Sequence, residues 1–316
     1  MSTEAKTVSV VIPYLNEEEA LPVLYERTCK AFEALPEEVE FLFIDDGSRD
    51  GSFEWVYKTA QSDPRVKYIK LSRNFGHQAA ITAGMAHASG DAVVTIDADL
   101  QDPPETIPDL VAKWKEGFEV VHAVRTTRKG ETGLKKFFAF AFYRIFKKIT
   151  EVDMVSDSGD FRLLDRKAAA AISQLREHHR YMRGLASWIG FKQGSVLYDR
   201  DPRYAGEKKY TFKQSFVLAL NAIASFSGTP LRLIFYLGGW ICALSLAGCI
   251  AAWIYHAHYG HPKHIGTVTL AFATLFITGL QMFCIGIIGQ YLRRVFDEIK
   301  DRPLYLVQSD NLPPSR

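Results

Sequence analysis

Ala92-Val93-Val94-Thr95-Ile96-Asp97-Ala98-Asp99 is the stretch from which the rest of the chain is read. Five apolar or β-branched residues make a short buried strand, and two carboxylates close it. In an extended chain, residues i and i+2 point to one side. Asp97 and Asp99 are therefore expected to project together where the backbone leaves a sheet. Paired hard oxygen ligands at an open tip suit Mg2+ or Mn2+, and a cation held there can grip a diphosphate. A strand end with an acidic turn would look the same.

Upstream of this stretch the chain alternates strand and helix patterns. Strands are expected at 8–12, 39–44, 66–71, 92–96 and 120–124, with helices at 17–35, 53–61 and 78–87 between them. Such alternation argues for an α/β domain with a parallel sheet. Ligands of open α/β sheets bind outside the carboxyl ends of the strands. Four polar clusters fall there: Pro13-Tyr14-Leu15-Asn16-Glu17, Asp45-Asp46-Gly47-Ser48, Ser72 to His77, and the Asp97–Asp99 pair. No G-x-G-x-x-G follows the first strand, and no G-x-x-x-x-G-K-[ST] occurs, which argues against dinucleotide and P-loop sites. Asp45 and Asp46 suit ribose hydroxyls or a base edge, and Tyr14 a base. Equally, Asp46-Gly47-Ser48 reads as an ordinary turn and Tyr14 as a packing residue.

The remainder differs in kind. The 316 residues carry a formal net charge of +2, giving no electrostatic case for nucleic acid. Positions 233–255 and 265–292 carry no formal charge, and each exceeds the roughly 20 residues that cross a bilayer as a helix. Arg232 flanks one side and Arg293, Arg294, Lys300 and Arg302 the other, so the positive-inside rule places both flanks in the cytosol and the link His256–His264 outside. That link has four histidines, whose spacing fits a solvated loop better than a ligand set. Two segments read as interfacial helices. In 133–149, Leu134, Phe138, Phe142 and Ile145 share one face, and Lys136, Arg144, Lys147 and Lys148 the other. The second, 211–227, is weaker. Cys29, Cys242, Cys249 and Cys284 match no zinc or CxxC pattern. No apolar signal segment opens the chain. The expected domains are a cytosolic 1–230, a two-helix transmembrane 231–293 and a cytosolic tail 294–316, in a multi-pass protein of the cell (inner) membrane with both termini in the cytosol. Gly279, Gly286 and Gly289 permit close helix contacts, hence a homo-oligomer formed through the transmembrane helices, though lipid-facing glycines would serve as well.

Taken in order, VVIPYLNEEE (10–19), IDDGSRDGS (44–52), LSRNFGHQAAITAG (71–84), DADLQDPPE (97–105) and SGDFRLLDR (158–166) resemble the family 2 glycosyltransferases, with the nucleotide-sugar-binding fold called GT-A. Within that family the chain looks most like the polyisoprenyl-phosphate glycosyltransferases, such as the bactoprenol glucosyltransferases. The resemblance covers roughly the first 230 residues. It implies inverting, metal-dependent transfer of one hexose, glucose from UDP-glucose, to an undecaprenyl-phosphate-like lipid, with mannosyl or aminosugar transfer, or a silent nucleotide-sugar-binding protein, as alternatives. It implies that Pro13, Tyr14, Asn16, Glu17, Asp46, Asp97 and Gln101 line the nucleotide pocket. Asp97 and Asp99 would hold Mg2+ or Mn2+, Asp160 would be the catalytic acidic residue, and Arg200, Arg203 and Lys208 a phosphate-binding loop. Processive synthases of the family carry Gln-x-x-Arg-Trp; here the comparable region reads Arg180-Tyr181-Met182-Arg183-Gly184, which favours a single transfer.

Overall fold

A computed structural model describes residues 6–126, 158–178, 180–201 and 265–313, with isolated positions between 234 and 258. The interfacial candidates 133–149 and 211–227, the link 256–264 and the loop residues Arg203 and Lys208 lie outside the described residues, apart from His258.

The chain forms β1 (Thr7–Tyr14), α1 (Ala20–Glu33), β2 (Glu38–Asp45), α2 (Ser52–Ser62), β3 (Val66–Leu71), α3 (His77–His87), β4 (Ala92–Thr95), α4 (Ile107–Lys115), β5 (Val120–Arg125), β6 (Ser158–Asp165), α5 (Arg166–Gln174), α6 (Met182–Trp188), β7 (Gln193–Tyr198), α7 (Ile265–Ile299) and β8 (Val307–Asp310). The eight strands make one sheet in the order β7-β5-β6-β4-β1-β2-β3-β8. β1, β2, β3 and β4 pair in parallel, as do β5 and β7, while β6 runs antiparallel to both β4 and β5. The sheet is thus the mostly parallel one that the alternation of patterns implies.

The central strands read as continuous apolar runs because both faces are covered. Val8, Val10 and Ile12 are fully buried in one layer with Leu21 and Leu24 of α1 and Phe41 and Phe43 of β2. Phe41 and Phe43 stack at 6.3 Å, and Trp55 meets Phe43 edge-on at 6.0 Å. On the other face lies α3, which is built of small residues so that it can approach β1. A Cβ at Gly84 would lie 2.2 Å from Val11 Cγ1.

Three strands, β6, β7 and β8, were not expected from the sequence, and two of them matter most here. The antiparallel β6 pairs Thr95 with Arg162, so the start of β6 lies beside the end of β4. Asp160 is thereby carried to the same edge as Asp97. The other is β8, in what reads as a cytosolic tail. It pairs antiparallel with β3, bringing Lys70 opposite Ser309. The chain divides into two units, and Arg302–Arg316 belongs to the same unit as the N-terminal domain; Leu220–Asp301 falls in the other. Asn311 completes the seam: its Oδ1 accepts from Tyr68 N at 2.7 Å and its Nδ2 donates to Val66 O at 3.1 Å. Asn311→Ala removes both bonds and leaves backbone groups of β3 unpaired. It is expected to destabilise the sheet edge by about 1–3 kcal/mol, read as a lower melting temperature and faster proteolysis of the C-terminal segment in the full chain.

In the second unit, α7 runs 35 residues. Among the described residues no helix is long and apolar enough to cross a membrane; several side chains in the first half of α7 lie outside them.

Candidate active site

The polar clusters meet at one edge of the sheet and are laced to one another by backbone bonds. Asn16, at φ 53, receives Arg49 N on its Oδ1 at 2.8 Å, and its own N donates to Ser48 Oγ at 3.0 Å. Glu17 N donates to Ser52 Oγ at 2.9 Å. The loops after β1 and β2 therefore form one rigid rim. Gly47 is required in it twice: its φ is 84°, and a Cβ there would lie 2.8 Å from Asn74 N.

Asp46 and Tyr14 depart from the expected pocket roles. The Asp46 carboxylate is buried and accepts from Phe75 N at 2.7 Å and Gly76 N at 3.0 Å. It holds the loop after β3 against the rim, its oxygens accepting from protein amides. Burial raises its pKa above the usual carboxylate value, against those amide bonds. The Tyr14 ring is 3% exposed and packs edge-on against Phe43 at 6.5 Å, so it is a core residue, not a platform for a base. Its hydroxyl pKa is raised by burial and by Asp45 and Asp50. Pro13 is likewise buried, in register with Ile44. Asn16 and Glu17 remain at the rim.

The Asp97–Asp99 pair is placed differently from its sequence reading. The strand stops at Thr95, and the pair sits on the turn beyond it, which ends at Leu100 with φ 58. The alternation of burial nonetheless continues, with Asp97 and Asp99 half-buried and Ala98 and Leu100 buried. Asp99 Oδ1 accepts from Gln101 N at 3.2 Å. Gln101 in turn joins the turn to the end of β7: its Oε1 accepts from Arg200 Nη2 at 2.6 Å and its carbonyl from Asp201 N at 3.0 Å. Arg200 thus stands beside the acidic turn.

Asp160 lies at the centre. The Thr95 hydroxyl donates to its carbonyl, and its carboxylate is 7% exposed. Around that carboxylate stand Gln78 Nε2 at 3.2 Å, Arg162 Nη2 at 3.3 Å, Arg183 Nε at 3.4 Å and His77 Nε2 at 3.7 Å. Burial would raise the Asp160 pKa, but the Arg183, His77 and Arg162 charges outweigh it and hold the carboxyl well below its usual range. His77 also reaches Asp97 Oδ1 at 3.2 Å. Its pKa is raised well above the ordinary imidazole value, since Asp97 and Asp160 outweigh the burial that would lower it. The His77 ring thus bridges the carboxylates of the turn after β4 and of β6. His77, Gln78, Arg162 and Arg183 were given no role from sequence, although His77 closes one of the four polar clusters, Gln78 and Arg162 lie in the LSRNFGHQAAITAG and SGDFRLLDR strings, and Arg183 lies in the 180–184 stretch.

Beneath the acidic turn, Asp102 is fully buried. It accepts from the Tyr198 hydroxyl and lies 3.5 Å from Arg125 Nη2 and 3.8 Å from Arg200 Nε. The donors available to a cation here are few. Among the described residues no group of three His, Cys, Asp or Glu is arranged to hold a metal. Asp97 and Asp99 fit Mg2+ or Mn2+, which use one or two carboxylates and complete their shells with water and substrate phosphate. They do not fit a closed structural zinc site.

This constellation, acidic turn, buried acid and basic surround at the carboxyl edge of a mostly parallel sheet, is that of a sugar-transferring enzyme. The glycosyl transferase family 2 profile matches residues 9–172, and the GtrB C-terminal hairpin profile matches residues 229–295. The chain belongs to glycosyltransferase family 2 and is a glycosyltransferase. It is 46% identical over 302 residues to the uncharacterized glycosyltransferase YkcC of Bacillus subtilis, covering 95% of this chain and 93% of that one. It is 43% identical to the uncharacterized glycosyltransferase sll0501 of Synechocystis sp., over 95% of this chain and 94% of that one. It is 40% identical to the SfII prophage-derived bactoprenol glucosyl transferase of Shigella flexneri, over 96% of this chain and 98% of that one. Among solved structures, glucosyl-3-phosphoglycerate synthase from Mycobacterium tuberculosis in complex with Mn2+, UDP and phosphoglyceric acid aligns with a TM-score of 0.44 at 19% identity, over 69% of this chain and 76% of that chain.

Proposed function

We propose that this chain transfers one glucose residue, with inversion, from UDP-glucose to the phosphate of a membrane polyprenyl lipid. The observation that carries the reading is the meeting of Asp97 and Asp160, brought to one edge by the antiparallel β4–β6 pairing and bridged by His77. The likeness to a bactoprenol glucosyl transferase over nearly the whole chain supports the choice of sugar and lipid.

In the reaction a phosphate oxygen of the acceptor attacks the anomeric carbon while the bond from that carbon to the UDP oxygen breaks. A phosphate monoester has its second pKa near 6, so at neutral pH it arrives mostly ionised. A general base has little to do. A carboxyl held as far down as that of Asp160 is also a poor proton acceptor, which supports an orienting role for it. The chain's work is to hold two anions together and to receive charge on the departing UDP. Arg200, beside Gln101, is placed for the second task, and Arg203 and Lys208 follow it in sequence. A divalent cation held by Asp97 and Asp99 would supply charge neutralisation at the leaving diphosphate.

The lipid acceptor calls for a membrane anchor, and the reading assigns it to two spans within residues 231–293. The GtrB hairpin match supports this. So does α7, whose Phe276, Met282, Phe283, Ile285, Ile288 and Leu292 are exposed in the chain by itself. These positions point all round the helix, as in a membrane span. β8 supports an even number of crossings, because the chain must come back to the sheet it left. With the positive-inside bias, both termini and the catalytic sheet then face the cytosol.

The test is transfer by the full chain, reconstituted with undecaprenyl phosphate, comparing UDP-glucose, GDP-mannose and UDP-GlcNAc with Mg2+, Mn2+ or chelator. The expected result is metal-dependent glucosyl lipid and UDP. Preference for another donor establishes the runner-up. Nucleotide-sugar binding without transfer from any donor reduces the chain to a silent binding protein.

A further inference from the structure

α3 begins at the working edge of the sheet and lies close against β1, with Gly84 over Val11. Its first two side chains reach polar groups of other segments. His77 meets Asp97 and Asp160. Gln78 joins two different groups: its Oε1 accepts from Met182 N at 2.9 Å, and its Nε2 donates to Asp160 Oδ2 at 3.2 Å.

The first of these bonds decides the second. A side-chain amide has one oxygen that accepts and one nitrogen that donates. A backbone N–H can meet only the oxygen, so Met182 N turns the amide with its nitrogen toward Asp160. Met182 is itself fixed. It is buried at the start of α6, and its carbonyl accepts from Arg162 Nη1 at 3.0 Å. The segment leading to it is tied back to α3, since Arg180 Nη1 donates to Thr82 Oγ1 at 3.0 Å. The Thr82 hydroxyl in turn donates to Gln78 O at 2.8 Å. Gln78 is therefore gripped by backbone and side chain in one closed ring: Gln78, Thr82, Arg180, Tyr181, Met182 and back to Gln78.

The other neighbours of the Asp160 carboxylate, Arg162, Arg183 and His77, are basic side chains. They favour its ionised form. The Gln78 amide brings no net charge. It fixes the direction of Oδ2 and leaves the negative charge to act.

We infer that Gln78 is a positioning residue for sugar transfer, setting the rotation of the Asp160 carboxylate from a ring closed by Thr82, Arg180 and Met182. This rests on the transfer reaction given above and names what orients its acidic residue.

The experiment uses the full chain in nanodiscs with undecaprenyl phosphate and UDP-glucose. It compares wild type, Gln78→Glu, Gln78→Met, Asp160→Asn and the double variant Gln78→Glu with Asp160→Asn. Gln78→Glu keeps an acceptor for Met182 N but turns an oxygen toward Asp160 in place of the donor. Gln78→Met loses both bonds. Each is expected to lower kcat by about tenfold to a hundredfold, as for a lost bond to a charged group. KM for UDP-glucose and for the lipid, and the Kd for UDP with Mn2+ that reports folding, stay within about twofold. In the Asp160→Asn background, Gln78→Glu lowers kcat by no more than about twofold further, because the group it acts through is already gone. Losses that multiply in the double variant would make Gln78 a general support of the fold and overturn the inference. A raised KM at unchanged kcat would put Gln78 on a substrate and overturn it too. Impaired Gln78→Met beside a fully active Gln78→Glu would assign the amide to α6 alone, with the same consequence. A wild-type chain that transfers nothing to the lipid refutes the function reading and this inference together. An active wild type with both Gln78 variants indifferent refutes only the inference.

Discussion

Asp160→Asn is expected to lower sugar transfer by at least about a hundredfold, as for loss of a preorganised electrostatic group, with no recovery as pH rises. Asparagine keeps the shape but not the charge. Arg162, Arg183 and His77 are then left facing one another around a neutral amide. Removing one partner of a buried ion pair commonly costs about 3–5 kcal/mol, so a marked fall in melting temperature accompanies the loss of activity. The pH dependence carries a sign. The native carboxyl titrates well below its unfolded value, so its stabilisation is full above the ordinary carboxylate pKa and is lost as pH falls through the lower native one. The wild type should therefore show an acid limb in its melting temperature that Asp160→Asn lacks. If transfer by the variant returned fully at raised pH, the defect would be one of acceptor deprotonation, and the orienting role would be wrong.

Asp97→Asn is the second large effect. Transfer is expected to fall by about a hundredfold to a thousandfold, and Mn2+-dependent tightening of UDP binding should disappear in titration calorimetry. The Asp97 carboxyl is held below its usual pKa against burial, chiefly by His77. Neutralising it releases His77 as well, leaving that ring to Asp160 alone. Asp99, whose Oδ1 also takes the Gln101 amide, should give a similar loss of metal response. Retained Mn2+ dependence in both variants would move the cation away from this turn.

Much of this was written locally in the chain. The parallel strands carry continuous apolar runs, and polar clusters interrupt them at one end only, so the sheet and its working edge follow from periodicity. Four things did not. β6 has no partner within its own neighbourhood; its place between β4 and β5 is decided by long-range pairing, and so is the approach of Asp160 to Asp97. Asp46 looks like a ligand residue because acidic turns do, yet its oxygens satisfy the amides of Phe75 and Gly76, a debt of backbone that only the folded loop reveals. Tyr14 stands at a strand end, but the ring packs back onto Phe43. His77 and Arg183 belong to different segments, and nothing near either in sequence announces the carboxylate they share.

The seam between β3 and β8 also sets an order of events during synthesis. Tyr68 and its partner Asn311 lie 243 residues apart. At roughly 5–20 residues per second a ribosome needs on the order of ten to fifty seconds to supply the missing strand. Until then β3 is a bare edge, open to wrong partners. The sheet closes only after both apolar segments have left the ribosome. The sheet is therefore completed last at the edge next to the loop after β3, and a chain that fails to return its final strand to β3 leaves that edge open.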